Sequence, residues 1–240
     1  MIKLQFSADD LADLKDAREV PAYGIPLAAH YLSLPVATLR SWTVGRYYET
    51  EAGRKRFHPL LQLPNRKIPL LSFFNLTEAH VLSALRRQHK ISLDRIRVAL
   101  KYVSKEFGIR RPLIDASFET DGVDLFVRKL GRLIDASEHG QLMLKNVMEA
   151  YLRRIERENN VVVRLYPFTR LDQLDEPKSV LIDPRVAFGR PVLAGCRIPT
   201  GIIAERYKAG DSIEHLARDY DCSPLDIQEA LRCELRLEAA

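Results

Sequence analysis

The sequence has few cysteines and no cysteine motif. Cys196, Cys222 and Cys233 are the only three in 240 residues, and they form neither a C-x-x-C pair nor a group with paired histidines. We therefore expect neither a disulfide framework nor a zinc site, and a reducing cytoplasm is the compartment that this usage favours.

The sequence also lacks a membrane span and a secretory signal. The charge-free run 20–39 has the length of a span, but it contains three prolines, a glycine and a histidine. The first 16 residues lack the basic start and apolar core of a signal peptide. The prediction is a cytoplasmic protein.

Catalytic arrangements are absent as well. The six histidines stand singly, no serine or cysteine lies in a nucleophile elbow, and the glycines form neither a P-loop nor a dinucleotide fingerprint. The aspartates within residues 9–16 could in principle hold magnesium, but Leu11 and Leu14 on the opposite side favour a short solvated helix. We predict no enzyme, no cofactor and no metal.

Positive charge is concentrated in one part of the chain, although the formal net charge of the whole is only +5. Residues 20–112 hold 16 Lys and Arg against 5 Asp and Glu, whereas residues 113–240 hold 18 against 22. Such asymmetry is typical of a protein in which one part binds nucleic acid and another part binds protein. A solvated surface that happens to be basic is the simpler alternative.

The basic region opens with a helix-turn-helix pattern. Apolar residues between Gly24 and Trp42 describe two short helices that are broken at residues 33–35. If the apolar positions face the core, one face of the second helix is left for a DNA groove. The side chains predicted to point outward there are Ala37, Thr38, Arg40 and Ser41.

The next segment is predicted to form a basic β-hairpin wing. It contains proline and glycine, and the aromatic residues Tyr47, Tyr48 and Phe57 are interleaved with the basic ones. Basic side chains on a wing follow phosphates, and aromatic rings can pack on sugars. The basic residues expected to contact DNA are Arg46, Arg54, Lys55, Arg56, Arg66 and Lys67.

Two further helices are predicted after the wing. One is opened by a capping box at residues 75–78 and runs to Arg87, and the other ends near Glu106. The order of helices and wing over residues 23–107 resembles the winged helix-turn-helix of MerR-type regulators, with a longer wing. The resemblance implies a DNA-binding domain.

Residues 108–174 are predicted to form a structured connector. We expect a small hairpin within 124–134, a helix over 141–157, a buried strand over 161–165 and a hinge at 171–178. The apolar stripe of the helix, which includes Met148, could line an effector pocket, but core packing or a dimer seam is favoured.

A loop rich in glycine and proline, residues 182–200, is predicted to precede three helices at 200–209, 211–220 and 223–237. Gly189 and Gly195 supply positions where φ can be positive, and the prolines prevent a regular element. The last helix is opened by a capping box that starts at Ser223.

This C-terminal quarter resembles the domain-of-unknown-function family 433. The residues that carry the resemblance are Asp183, Pro184, Gly189, Arg190, Pro191, Val192, Gly195, Arg197, Ile198, Pro199, Asp219 and Tyr220. Cys196 stands where that family usually has threonine. Members of the family look like antitoxins of VapBC-type pairs, whose toxins are PIN-like, metal-dependent ribonucleases. The resemblance therefore implies a toxin partner.

The last two helices repeat the spacing of the first helix-turn-helix. The matched pairs are Ala217 with Ala29, Tyr220 with Leu32, Cys222 with Leu34, Ile227 with Leu39, and Ala230 with Trp42. Residues 178–240 hold 9 Lys and Arg against 10 Asp and Glu, so this unit would gain little affinity for DNA from counterion release. We hypothesise that it pairs two chains or docks the toxin, with Arg190 and Arg197 near the toxin's acidic metal site. Hydrogen bonds within the glycine loop are an equal alternative use of these arginines.

The sequence thus predicts a mainly α protein with small β elements in three domains. These are a MerR-like winged helix-turn-helix domain (1–108), a connector with a hairpin and a helix (109–177) and a family 433 helical domain resembling a helix-turn-helix (178–240). The predicted function is a homodimeric antitoxin that neutralises a PIN-like ribonuclease and represses its own operon at operator DNA. The alternatives are a ligand-responsive MerR-like regulator and an interaction scaffold without a DNA role.

Overall fold

The computed structural model describes residues 16–50, 53–65, 67–88, 91–170 and 173–235. The predicted fold class, mainly α with small β elements, is confirmed. Most of the acidic segment near the N-terminus lies outside the described residues. Asp16, which is described, lies in a turn and accepts hydrogen bonds from the backbone and the guanidinium of Arg18.

The N-terminal elements are a helix-turn-helix, a hairpin and two longer helices. In chain order they are β1 (Tyr23–Gly24), α1 (Ile25–Tyr31), α2 (Val36–Thr43), β2 (Arg46–Thr50), β3 (Gly53–Phe57), β4 (Leu70–Leu71), α3 (Phe73–Gln88) and α4 (Leu93–Phe107). Strand β2 pairs antiparallel with β3, and β1 pairs antiparallel with β4.

Helix α3 begins slightly earlier than predicted. Ser72 precedes the helix, and the Ser72 hydroxyl accepts a hydrogen bond from the backbone amide of Asn75 at 3.2 Å. In return, Asn75 Oδ1 accepts one from the backbone amide of Ser72 at 3.3 Å. The predicted capping box at residues 75–78 is wrong, because Asn75 closes the box instead of opening it. Glu78 lies inside the helix, where Arg111 Nη1 donates to its carboxylate at 2.8 Å.

Helices occupy most of the region predicted to be a connector. After short turns at Pro112–Ile114 and Phe118–Gly122, the elements are α5 (Val123–Ile134), α6 (Glu138–Leu152), β5 (Ile155–Glu158) and β6 (Val161–Leu165). The predicted strand at 161–165 is confirmed.

Two predictions in this region are wrong. Residues 124–134 form helix α5, not a hairpin, because Phe126, Val127 and Leu130 fall on one helical face and are buried where α5 packs against α4 and α6. The helix predicted over 141–157 ends at Leu152, because the chain turns there into β5, which pairs antiparallel with β6.

The N-terminal elements and the connector share one hydrophobic core. This cluster runs from Tyr23 to Ile182 and includes Leu144, Val147 and Met148 of α6. The Met-bearing stripe therefore packs in the core. A second cluster lies within residues 180–235 and belongs to the C-terminal elements.

The C-terminal elements are two short strands and three helices. In chain order they are β7 (Val180–Leu181), a turn at Ala187–Gly189, β8 (Val192–Leu193), α7 (Thr200–Lys208), α8 (Ile213–Asp219) and α9 (Pro224–Leu235). Strands β7 and β8 pair antiparallel. The three helices and the Ser223 cap are confirmed, since Ser223 Oγ accepts from the Asp226 amide at 3.1 Å.

Buried charges tie the connector to the last helix. The Arg154 guanidinium donates to the Glu176 carbonyl at 2.7 Å, and the Thr169 hydroxyl donates to the Glu229 carboxylate at 2.5 Å. Burial raises the pKa of Glu176, opposed by amide hydrogen bonds from Thr169 and Arg170 and by the charge of Arg154. Glu176 thus anchors the segment that was predicted to be a hinge.

Cys196 and Cys222 form a disulfide, with their Cα atoms 6.5 Å apart. The expectation of no disulfide is wrong, because tertiary packing brings together two turns that are 26 residues apart in sequence. Cys233 is buried in α9. Among the described helices, none has both the length and the apolar character required to cross a membrane.

Candidate nucleic-acid interface

A tight turn sets helices α1 and α2 against each other. Ser33 adopts a left-handed backbone with φ 52°, and the Leu34 amide donates to the Ala29 carbonyl at 2.8 Å. Leu39 and Trp42 of α2 are fully buried beneath this turn. The opposite face of α2 is therefore presented to solvent.

The outward face of α2 is close to the predicted one. Ala37 and Arg40 are exposed, and Thr38 is half-buried. Ser41 is the exception: it is only 7% exposed, so its predicted outward orientation is wrong. It lies directly before Trp42, on the side of α2 that turns toward the core.

The hairpin is fixed to the end of α2. The amides of Leu60 and Leu61, just after β3, donate to the Trp42 carbonyl at 2.8 and 2.9 Å. Between α2 and β2, Gly45 has φ 85°, and a Cβ there would collide with the Phe57 carbonyl. Only glycine fits this close approach. The hairpin and α2 consequently form one surface.

One face of the hairpin combines an aromatic ring with two guanidinium groups. Tyr47 pairs with Arg56 and Glu49 with Arg54 across the strands. The Arg54 guanidinium lies 4.4 Å from the centre of the Tyr47 ring and the Arg56 guanidinium 5.7 Å from it. Both arginines are exposed, so stacking orients their charges without removing them from solvent.

The other face begins at the core and ends in solvent. Arg46 pairs with Phe57 and Tyr48 with Lys55. Phe57 is buried, and the Arg97 guanidinium of α4 packs 4.8 Å from its ring centre. The suggestion that Phe57 packs on a sugar is therefore wrong, whereas Arg46, Tyr48 and Lys55 remain exposed.

The last two predicted DNA contacts lie beyond the hairpin. Arg66 is outside the described residues. Lys67 is exposed and lines an open cavity of about 750 Å³ together with Arg56 and His58. The structure thus brings six of the seven predicted basic positions, all except Arg66, to the region around α2. They are Arg46, Arg54, Lys55, Arg56 and Lys67 around the hairpin, and Arg40 on α2.

The two arginines proposed for partner binding lie on the loop before α7. Arg190 and Arg197 are both exposed, and within the described residues neither side chain makes an ion pair or hydrogen bond. Gly189 has the positive φ that was predicted, 75°. A positive φ was also predicted for Gly195, but there Arg197, two residues later, has it instead, with φ 60°.

A second helix-turn-helix is formed by α8 and α9. Asp221 has φ 51°, and the Cys222 amide donates to the Ala217 carbonyl at 3.0 Å. The same register places Asp226 and Gln228 of α9 where α2 carries Thr38 and Arg40. This second unit has no cation at either position.

Two families match the parts of the chain that carry these motifs. Residues 21–100 match a family described as "Putative DNA-binding HTH domain", and residues 180–232 match "Protein of unknown function (DUF433)". A curated relative, "Putative antitoxin VapB45" of Mycobacterium tuberculosis (strain ATCC 25618 / H37Rv), is 29% identical over 231 residues, which cover 89% of this chain and 93% of the relative. The predicted resemblance to VapB-type antitoxins is confirmed.

Two other proteins of the same organism extend the likeness. "Uncharacterized protein Rv2308" is 26% identical to this chain over 207 residues, which cover 83% of the chain and 84% of the relative. The X-ray crystal structure of Rv2018 superposes with a TM-score of 0.62 at 23% identity, covering 88% of this chain and 98% of that one. At this identity the superposition shows a shared fold.

Proposed function

We propose that the protein is an antitoxin of a type II toxin-antitoxin pair, which binds operator DNA through α2 and the hairpin and neutralises a PIN-like ribonuclease. The observation that carries the proposal is the contrast between its two helix-turn-helix units. They share a turn geometry, yet the second helix of the first unit carries Arg40 where the other has Gln228, and among the described residues only the first has a basic hairpin beside it.

The N-terminal unit has the chemistry of a DNA-binding surface. Arg40 and Thr38 on α2 would reach base edges or flanking phosphates, as side chains of recognition helices do. The hairpin cations would contact phosphates and release counterions, which supplies affinity without sequence information. Two copies related by two-fold symmetry would read half-sites about 34 Å apart.

The C-terminal unit has the chemistry of a protein-binding surface. Its exposed Arg190 and Arg197 are available to carboxylates, and PIN-like nucleases hold their metal ions with carboxylates. The relative named as an antitoxin supports a toxin partner for this chain as well. The proposed partner is the product of a neighbouring gene.

Co-expression with that gene product tests the proposal. We expect the two chains to co-purify, ribonuclease activity to appear when this chain is removed, and the complex to shift a DNA fragment from upstream of the two genes. Failure to form a complex, or a partner without ribonuclease activity, would exclude the antitoxin role.

A ligand-responsive regulator is the second candidate function. The cavity beside the hairpin, about 750 Å³, lies within the size range of small-molecule sites and borders Thr43 and Val44 at the end of α2. A ligand there could move the hairpin relative to α2. If a metabolite found by screening raised the melting temperature of the protein and altered its DNA affinity in the absence of any toxin, this function would replace the antitoxin role.

A further inference from the structure

Phe188 is the most exposed large apolar side chain among the described residues. It is 95% exposed, in the turn that precedes β8. An isolated apolar side chain on the surface needs no explanation by itself. The backbone that presents Phe188 does need one.

The turn holds two consecutive residues in a backbone conformation that they disfavour. Ala187 has φ 47° and Phe188 has φ 56°, in the left-handed region that sterically suits glycine. Strain of this kind persists only where surrounding contacts enforce it, and it is concentrated at functional sites.

The surrounding contacts are present. The Val186 amide donates to the Asp183 carbonyl and the Gly189 amide to the Val186 carbonyl, both at 2.9 Å. The buried hydroxyl of Tyr23, in β1 just before α1, donates to the Gly189 carbonyl at 3.1 Å. The backbone that presents Phe188 is thus fixed, so little backbone entropy would be lost when a partner covers its side chain.

The charge beside Phe188 indicates the kind of partner. Arg190 is exposed two residues away and makes no ion pair with the described residues. A symmetric contact between two copies centred on Phe188 would bring two Arg190 side chains together, which is unfavourable. A different protein with an apolar pocket bordered by carboxylates satisfies both side chains.

We propose that Phe188 is the anchor by which the C-terminal unit docks into such a pocket, with Arg190 pairing with a carboxylate at its rim. This inference rests on the proposed function, because the ribonuclease is taken as the partner. It adds a residue and a pocket chemistry that the antitoxin role alone does not specify.

The test compares Phe188→Ala with a matched control, Leu142→Ala, whose side chain is also exposed and apolar but lies on α6. Affinity for the purified ribonuclease would be measured by calorimetry, and operator binding by fluorescence anisotropy. We expect Phe188→Ala to weaken the complex by about 30-fold or more, as loss of a hot-spot aromatic does, with Leu142→Ala changing it by less than about 3-fold. Operator binding by both variants should equal that of the wild type.

The outcomes separate this inference from the antitoxin role. Ribonuclease binding by Phe188→Ala at wild-type affinity would overturn the anchor and leave the antitoxin role intact. A wild-type chain that is dimeric and a Phe188→Ala variant that is monomeric, measured by light scattering without ribonuclease, would also overturn the anchor, because Phe188 would then contact a second copy of the chain. A wild-type chain that binds no ribonuclease would overturn both.

Discussion

Ser33 and Asp221 occupy equivalent positions in two turns and share one backbone conformation, with φ values of 52° and 51°. In each turn, the next residue donates its amide to a carbonyl at the end of the preceding helix, at 2.8 Å for Leu34 and 3.0 Å for Cys222. The two helix-turn-helix units are therefore the same motif, and their surfaces distinguish them.

Branched residues at these turns should destabilise the protein. We expect Ser33→Val and Asp221→Val each to lower the free energy of unfolding by about 1–2 kcal/mol, because a β-branched side chain collides with the backbone in the left-handed region. Asparagine tolerates that region, so Ser33→Asn and Asp221→Asn are the matched controls. Urea denaturation followed by circular dichroism measures the difference. Equal stability of the Val and Asn variants would contradict the shared turn.

Cations on the first unit should determine both the affinity for DNA and its dependence on salt. Arg54→Ala and Lys55→Ala should weaken binding to all sequences alike and reduce the slope of log K against log salt by about 1 each. If Arg40 reads a base, Arg40→Ala should cost about 1–3 kcal/mol on the operator and little on unrelated DNA. Anisotropy titrations at several salt concentrations would separate the two effects.

The second helix-turn-helix supplies the control for this experiment. Arg218 is an exposed arginine on α8 of that unit. Arg218→Ala should leave the DNA affinity and the salt slope unchanged. A loss equal to that of Arg54→Ala would mean that both units contact DNA.

Local patterns were sufficient to predict the two helix-turn-helix units. Their apolar spacing lies within about 20 residues, and the register that matches Ala217 to Ala29 follows from the sequence alone. The hairpin was predictable for the same reason, because Gly53 and the interleaved aromatic and basic residues lie close together.

Features that depend on distant contacts were not predictable. Helix α5 is not one of these features, because Val123, Phe126, Val127 and Leu130 have helical spacing, a local signal that the β-branched residues and the glycine within 124–134 obscured. The disulfide joins turns that meet only after α7, α8 and α9 have packed. No local signal marks Phe188 as exposed, since the Tyr23 contact that fixes its turn comes from the opposite end of the chain.

Asp183 should make stability depend on acidity. Burial by itself would raise its pKa, but hydrogen bonds from Arg185 and the charges of Arg185 and Arg164 hold the pKa below the usual range of an aspartate. A carboxylate whose pKa is lower in the folded than in the unfolded state stabilises the fold at pH values above its unfolded-state pKa. This stability is lost as the pH falls through the folded-state pKa. Asp183→Asn should therefore reduce stability by about 2 kcal/mol at pH 7, with a smaller difference from the wild type as the pH falls through the lowered pKa of Asp183. Urea titrations from pH 2 to pH 7 would measure this, and a constant difference would contradict the assignment.

Tyr23 and Gly189 should be coupled in a double-mutant cycle. A Cβ at Gly189 would collide with the Tyr23 hydroxyl, and φ there is 75°, so Gly189→Ala should destabilise the protein by about 2–3 kcal/mol. Tyr23→Phe removes one hydrogen bond and should cost about 1 kcal/mol.

In the double variant the hydroxyl is absent, so the collision is relieved and the combined loss should be smaller than the sum of the two single losses. Because the ring carbon that bore the hydroxyl would still lie 3.2 Å from the new Cβ and φ is unchanged, the rescue should be partial. Additive losses would mean that backbone strain at residue 189, and not contact with Tyr23, requires glycine there.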